Sequence, residues 1–140
     1  LTMIGNDYTQ AARNDPSYHF NDAFEYFKKG LEIRKLTLGE KHPDTAWSYQ
    51  SIGLWYFYQE NYEEAIENYQ KCLDIRNELL QPSHAYTAEI LYLLGEAYLK
   101  MNRIHSAKES LLRAEKIQAN LHKVKALEKT KRLLNECDLS

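Results

Sequence analysis

Equivalent residues return every 42 positions along this chain, and that period limits the possible folds more than any other feature of the sequence. Ala23, Ala65 and Ala107 are spaced by it, as are Ile33, Ile75 and Ile117. So are the pairs Arg34/Arg76, His42/His84, Thr45/Thr87, Ala46/Ala88, Gly53/Gly95 and Tyr56/Tyr98. A fixed period of this length means stacked copies of one supersecondary unit, each too small to bury its apolar face alone. Within each copy the apolar residues recur three or four apart without strand-like alternation, so the unit is helical. Ala23, Phe24, Phe27, Leu31 and Ile33 mark one helix; Ala65, Ile66, Tyr69, Cys72, Leu73 and Ile75 mark its repeat. The helix before it in each pair carries Tyr49, Ile52 and Tyr56, then Leu91, Leu94 and Tyr98. Gly53, Gly95, Ala65 and Ala107 are the small residues expected where two helix backbones come close.

Turn residues divide the units at the same spacing. Gly39 stands where a helix would end in a left-handed conformation, and Pro43 where the next begins, since a first turn leaves its N–H unpaired in any case. Ser83, following Pro82 at a turn, is the expected N-cap of the next unit. His42 and His84 recur at the entry to a helix, which fits a structural hydrogen bond rather than acid–base chemistry. Near the start, Ile4, Gly5 and Tyr8 reproduce the spacing of Ile52, Gly53 and Tyr56, but Gly5 lies 18 residues before Ala23 where the repeat would give 12. The surplus is assigned to the turn-like stretch Arg13-Asn14-Asp15-Pro16-Ser17. After Ala119 the repeat stops; Leu121, Val124, Leu127 and Leu134 predict a helix with one apolar stripe, and Lys125, Lys129, Lys131 and Arg132 give it a basic outer surface, as suits a terminal cap. The reading is one all-α domain over 1–140 with about seven helices: units near 1–40 (with an inserted loop near 13–19), 43–81 and 84–119, then a capping helix near 121–138. Because Leu1 already falls inside an expected helix, the chain reads as part of a longer polypeptide.

Composition removes several function classes. With 140 residues, 44% of them hydrophobic, the chain can bury a core. A net charge of -2 argues against nucleic-acid binding by bulk electrostatics, although Lys and Arg concentrate after Lys100 while Glu60 to Glu96 is mostly acidic. The basic terminal helix reads as a solvated surface. No run of apolar residues is long enough for membrane insertion. Cys72 and Cys137 suggest neither a zinc site nor a disulfide framework, which favours a reducing, cytoplasmic setting. Cys72 shares its repeat position with Gly30 and Ala114 and should be buried, whereas Cys137 reads as an exposed or cap residue. His19, His105 and His122 have no ligand spacing with carboxylates, and the glycines are scattered singly, so no metal, cofactor or phosphate loop is expected. No set of nucleophile, base and stabilising donors is present, and no catalytic residue is assigned. Trp55 faces neighbouring helices and reads as core, while Trp47 and Tyr58 suit ligand contact and packing equally.

Three segments carry a resemblance: Leu31-Glu32-Ile33-Arg34, Leu38-Gly39-Glu40-Lys41-His42-Pro43-Asp44-Thr45-Ala46 and Asn61-Tyr62-Glu63-Glu64-Ala65-Ile66. They resemble the long tetratricopeptide repeats of kinesin light chains. The resemblance implies a right-handed superhelical solenoid of antiparallel helix pairs, in which the first helix of each pair lines a concave groove that accepts a peptide or helix of a partner protein. Carried over by position, the groove candidates are Asn6 from the first unit, Trp47, Gln50, Leu54, Phe57 and Tyr58 from the second, and Glu89, Tyr92, Glu96 and Lys100 from the third. Aromatic and amide side chains suit peptide capture, because they offer contact area at low entropic cost and can bond a peptide backbone. The places that hold paired asparagines in kinesin light chains hold Gln50-Ser51 and Tyr92-Leu93 here, which implies a different peptide specificity. Lys100 is the chief groove cation on this reading, too little for the terminal-carboxylate grip of chaperone-binding relatives. A scaffold or adaptor role follows. An architectural or self-association role and a peptide-sensing regulator are the alternatives, with no homo-oligomer indicated.

Overall fold

The computed structural model describes residues 20–139. Six helices occupy them: α1 (Phe20–Thr37), α2 (Pro43–Tyr58), α3 (Tyr62–Leu79), α4 (Ala85–Lys100), α5 (Ile104–Asn120) and α6 (Val124–Leu139). No strand occurs among the described residues, so the all-helical expectation holds. The expected first hairpin with Ile4, Gly5, Asn6 and Tyr8, the inserted loop near 13–19 and His19 lie outside the described residues. The chain divides into two compact units, Leu1–Ile75 and Arg76–Ser140, with the division inside α3.

In the first unit α1 packs on α2 around Ala23, Phe27 and Ile52, with Phe24, Leu31, Trp55 and Tyr56 closing over them. Phe27 is fully buried, which contributes roughly 2–3 kcal/mol. Trp55 stacks on Phe24 at 4.0 Å between ring centroids, the helix-to-helix packing expected of it. Between α2 and α3 the close approach is at Gly53: a Cβ there would lie 2.5 Å from Tyr69 Cδ1 and 3.2 Å from the Ala65 carbonyl oxygen. Only a missing side chain lets these helices meet.

In the second unit α5 packs between α4 and α6 on Ala107, Leu111, Leu134 and Cys137, with Tyr92, Tyr98, Leu99, Ile104 and Leu133 against this cluster. Gly95 repeats the role of Gly53, since a Cβ on it would collide with Leu111. Cys137 is 4% exposed and so belongs to the core, contrary to the expectation of an exposed position. Its burial follows from the register of α6, whose inward face is Thr130, Leu134 and Cys137. Leu121 and Val124 leave the expected stripe for the same reason. The turn 121–123 is shorter than 80–84, so Leu121 falls in the turn and Val124 opens the helix, and both are exposed.

The repeat extends to individual hydrogen bonds. His42 and His84 are both N-caps: the Asp44 N–H donates to His42 Nδ1 (3.1 Å) and the Tyr86 N–H to His84 Nδ1 (3.0 Å). This corrects the assignment of the cap to Ser83. Ser83 is the residue type caps prefer, but the extended residue bordering α4 is His84, and its ring nitrogen reaches the orphan donor. Arg34 Nη1 donates to the Asp44 carbonyl (3.0 Å), and Arg76 Nη1 donates to the carbonyl 42 residues on, that of Tyr86 (2.9 Å). Each arginine ties the end of one helix to the first turn of the next. At the hairpin turns Glu60 (φ 61°), Asn102 (φ 58°) and His122 (φ 56°) are left-handed without being glycine. Around them the N–H groups of Asn61, Arg103 and Lys123 donate to the carbonyls of Tyr56, Tyr98 and Gln118, the wrap that closes a helix C-terminus. Gly39, left-handed at φ 92°, has the conformation expected of it.

Candidate functional site

The first helix of each pair, α2 and α4, carries the residues assigned to a binding face. In the first unit Trp47, Leu54, Phe57 and Tyr58 are half-buried along α2, each with one side still accessible. Phe57 meets Tyr58 and Tyr62 edge-on, at 6.0 and 5.3 Å between centroids, so the turn into α3 fixes its ring. Gln50, 4% exposed, is buried, and its side chain sits among packed groups instead of presenting an amide to solvent.

In the second unit the sequence-assigned residues face an actual hollow. A cleft of about 550 Å³ opens between the N-terminal halves of α4 and α6, floored by Gln118 of α5. From α4 it takes Tyr86, Glu89, Tyr92 and Leu93; from α6 and the turn before it come Leu121, Lys123, Lys125, Ala126 and Lys129. Its walls are largely apolar and its rim is charged. The floor is built, because Thr130 Oγ1 donates to Gln118 Oε1 at 2.6 Å, and both residues are buried. Tyr92 lines the cleft from α4. Burial raises its phenol pKa first, Glu96 and Glu136 raise it further, and Arg132 pulls the other way.

The structure therefore brings Glu89 and Tyr92 together in one cleft and puts Glu96 within electrostatic reach of the Tyr92 hydroxyl. Lys100, exposed at the last turn of α4, is not part of the lining. The cations that do line it are Lys123, which the sequence reading leaves unassigned, and Lys125 and Lys129, which it places on the solvated side of a cap. A signal was available: Lys125 and Lys129 are four apart, hence on one helical face, with Ala126 giving that face a low spot. What sequence lacked was the register of α6 once the 42-residue period had ended. Among the described residues no cluster of three His, Cys, Asp or Glu could hold a metal ion, and no described helix is long and apolar enough to cross a membrane.

Comparison with known proteins places this architecture. The chain is similar to the nearly identical TPR-like repeats of a candidate kinesin light chain from Podosopora anserina (TM-score 0.77, 20% identity, 94% of this chain and 62% of that one). It is similar also to BtubC (BKLC) from P. vanneervenii, with TM-score 0.77 and 16% identity over 98% of this chain and 60% of the other. A third similar structure is SycD, the type III secretion translocator chaperone of Yersinia enterocolitica (TM-score 0.72, 16% identity, 99% of this chain and 81% of that one). The chain thus spans less than two thirds of the length of the first two. No curated protein matches it in sequence. The family model for the tetratricopeptide repeat matches twice, at residues 20–78 and 51–120, which takes in α1 to α5 and both glycine contacts. On that match, and on helix pairs repeated to the level of single hydrogen bonds, the chain belongs to the tetratricopeptide repeat family.

Proposed function

We propose that this protein-interaction repeat module holds a segment of a partner protein on the accessible face of the first helix of a pair, α4 in the second unit or α2 in the first, in a scaffold or adaptor role without chemistry of its own. One observation carries the reading: the second unit has an open, largely apolar cleft of about 550 Å³ where Glu89 and Tyr92 were expected to meet a ligand. An apolar hollow with a polar floor and a charged rim is the common form of a recognition site. Trp47, Leu54, Phe57 and Tyr58 give α2 a face of the same aromatic kind in the first unit. Asn6 is proposed as a contributor on the basis of its repeat position alone. Gln50, being buried, is proposed as a contributor on its repeat position alone. Lys100 and Glu96 extend the α4 face beyond the cleft. Cys72 and Cys137, both buried in the helical core, suit a reducing intracellular setting.

The test is selection of binders from a displayed library of random dodecapeptides, followed by titration of the winners against Tyr92→Ala and Trp47→Ala. Loss of an anchoring aromatic is expected to cost about 1–2 kcal/mol of binding, roughly five- to thirtyfold in Kd, with the circular dichroism of the protein unchanged. A library that enriches nothing, or winners indifferent to both substitutions, would refute the reading.

A further inference from the structure

We propose that Thr37, at the end of α1, is a phosphorylation site for a serine/threonine kinase that selects basic segments, and that a phosphate there draws Arg34 off α2. The run Arg34-Lys35-Leu36-Thr37-Leu38 sets cations three and two places before a hydroxyl and an apolar side chain directly after it. A kinase cleft lined with carboxylates recognises that charge pattern, and a shallow apolar pocket takes the residue after the hydroxyl. No other Ser or Thr of the 140 residues has cations at both places; Ser106 has Arg103 alone and Ser110 has Lys108 alone. The segment is also accessible. Lys35, Thr37 and Leu38 are exposed and Leu36 is 87% exposed, so straightening the last turn of α1 uncovers little apolar surface.

Transfer of the γ-phosphoryl group of ATP forms a bond from Thr37 Oγ1 to phosphorus and breaks the bond from that phosphorus to the β–γ bridging oxygen. ADP leaves, and the hydroxyl proton passes to a carboxylate of the kinase. Three local changes follow. The Thr37 hydroxyl donates to the Ile33 carbonyl at 2.7 Å, and the ester has no proton to donate. A charge of about -1.5 to -2 arrives at the negative end of the α1 dipole. Arg34 lies one turn back on the same side of the helix, and its Nη1 donates to two neutral acceptors of α2, the Asp44 carbonyl (3.0 Å) and the Ser48 hydroxyl (3.3 Å). A phosphate three residues away outcompetes both, because it adds a second charge and accepts from the guanidinium fork in two bonds at once. The guanidinium turns to the phosphate, and the tie from α1 to the first turn of α2 is lost. The second unit has no such input: Leu79 stands at the repeat position of Thr37, and Arg76, the counterpart of Arg34, is 2% exposed.

The experiment treats the full chain with ATP, Mg²⁺ and the catalytic subunit of cyclic-AMP-dependent protein kinase, and locates the phosphate by mass spectrometry of proteolytic fragments. Wild type is expected to gain one phosphoryl group, on Thr37, and Lys35→Glu to lower kcat/KM for that transfer at least about tenfold. In the phosphorylated protein the amides of the first turns of α2 are expected to exchange hydrogen at least about fivefold faster, with α5 unchanged. Thr37→Glu should reproduce part of that acceleration in wild type and none of it in Arg34→Ala, whose tie is already gone. No phosphate on Thr37, or phosphate there without faster exchange in α2, would overturn the proposal. So would an equal acceleration by Thr37→Glu in the Arg34→Ala background. A transfer rate that rises in Arg76→Ala in step with its lost stability would overturn it too, since the kinase would then be reading only unfolded chain.

Discussion

The turns at 38–42 and 80–84 occupy the same repeat position but are held together differently. Both have a histidine cap and an arginine reaching forward to a first-turn carbonyl. Around the first, the fastening is polar and near the surface: Arg34 is half-exposed, Thr45 Oγ1 donates to the Gly39 carbonyl (2.8 Å), Tyr49 donates to Glu40 (2.8 Å), and Lys35 pairs with Glu40 at 3.7 Å. Around the second, Arg76 is 2% exposed, while Pro82 and Leu91 replace Glu40 and Tyr49. Thr87 repeats Thr45 but its buried hydroxyl has no partner among the described residues. The shared arginine and histidine set the geometry; the rest of each turn is free to diverge once those are in place.

The largest effect should come from Arg76. Arg76→Ala removes a buried, charge-assisted bond and the packed stem, and is expected to cost about 2–3 kcal/mol; Arg34→Ala, half in solvent, should cost about 1. Chemical denaturation of both variants checks the ratio, and equal losses would break the contrast. The short turn 121–123 has neither device: Gln118 stands at the repeat position of Arg76 and bonds Thr130 instead. Thr130→Val should therefore cost about 1–2 kcal/mol by stranding the Gln118 amide, read by the same melts.

The threonines give a difference of sign. Thr45→Val breaks a made bond and should destabilise by about 1 kcal/mol, whereas Thr87→Val removes a hydroxyl with nothing to bond and should be neutral or stabilise by up to about 1. Glu60→Gly, relieving a left-handed residue, is expected to stabilise by roughly 0.5–1 kcal/mol, seen as a raised Tm. A further effect is confined to alkali. Burial, helped by Glu40, pushes the Tyr49 phenol up to about 12 from 10.0, so the folded state holds its proton longer than the unfolded chain. Stability should fall as pH rises from about 10 to about 12, and Tyr49→Phe should flatten that part of the melting profile.

Much of this was legible in sequence because a repeat reports geometry through chemistry that only one environment tolerates. Gly53 and Gly95 had to mark close backbone approach, and the structure shows a Tyr69 ring and a Leu111 side chain filling the missing Cβ positions. His42 and His84 were readable as structural because they recur at helix entries. The caps were less readable: Ser83 is favoured by type, and a one-residue shift that puts His84 on the donor leaves no mark in composition. The last helix was least readable. Once the period ends there is no partner position to fix its register, so the sequence puts Cys137 at an exposed or cap position, Leu121 and Val124 inward, and Lys125 and Lys129, which line a cleft, on a solvated edge. Gln50, polar and mid-helix, was assigned to the groove by position although it is buried.

Arg76 has a consequence beyond holding a turn. Its guanidinium lies over the Tyr86 ring, 5.5 Å from the centroid, while bonding the carbonyl of that same residue. Tyr86 is also a wall of the cleft, so the end of α3 works as a clamp behind the receptor surface. Loosening the clamp would leave every contact atom present yet let the rim fluctuate, and a visitor would then have to freeze it on arrival. Affinity could thus drift through changes at a residue that no visitor touches.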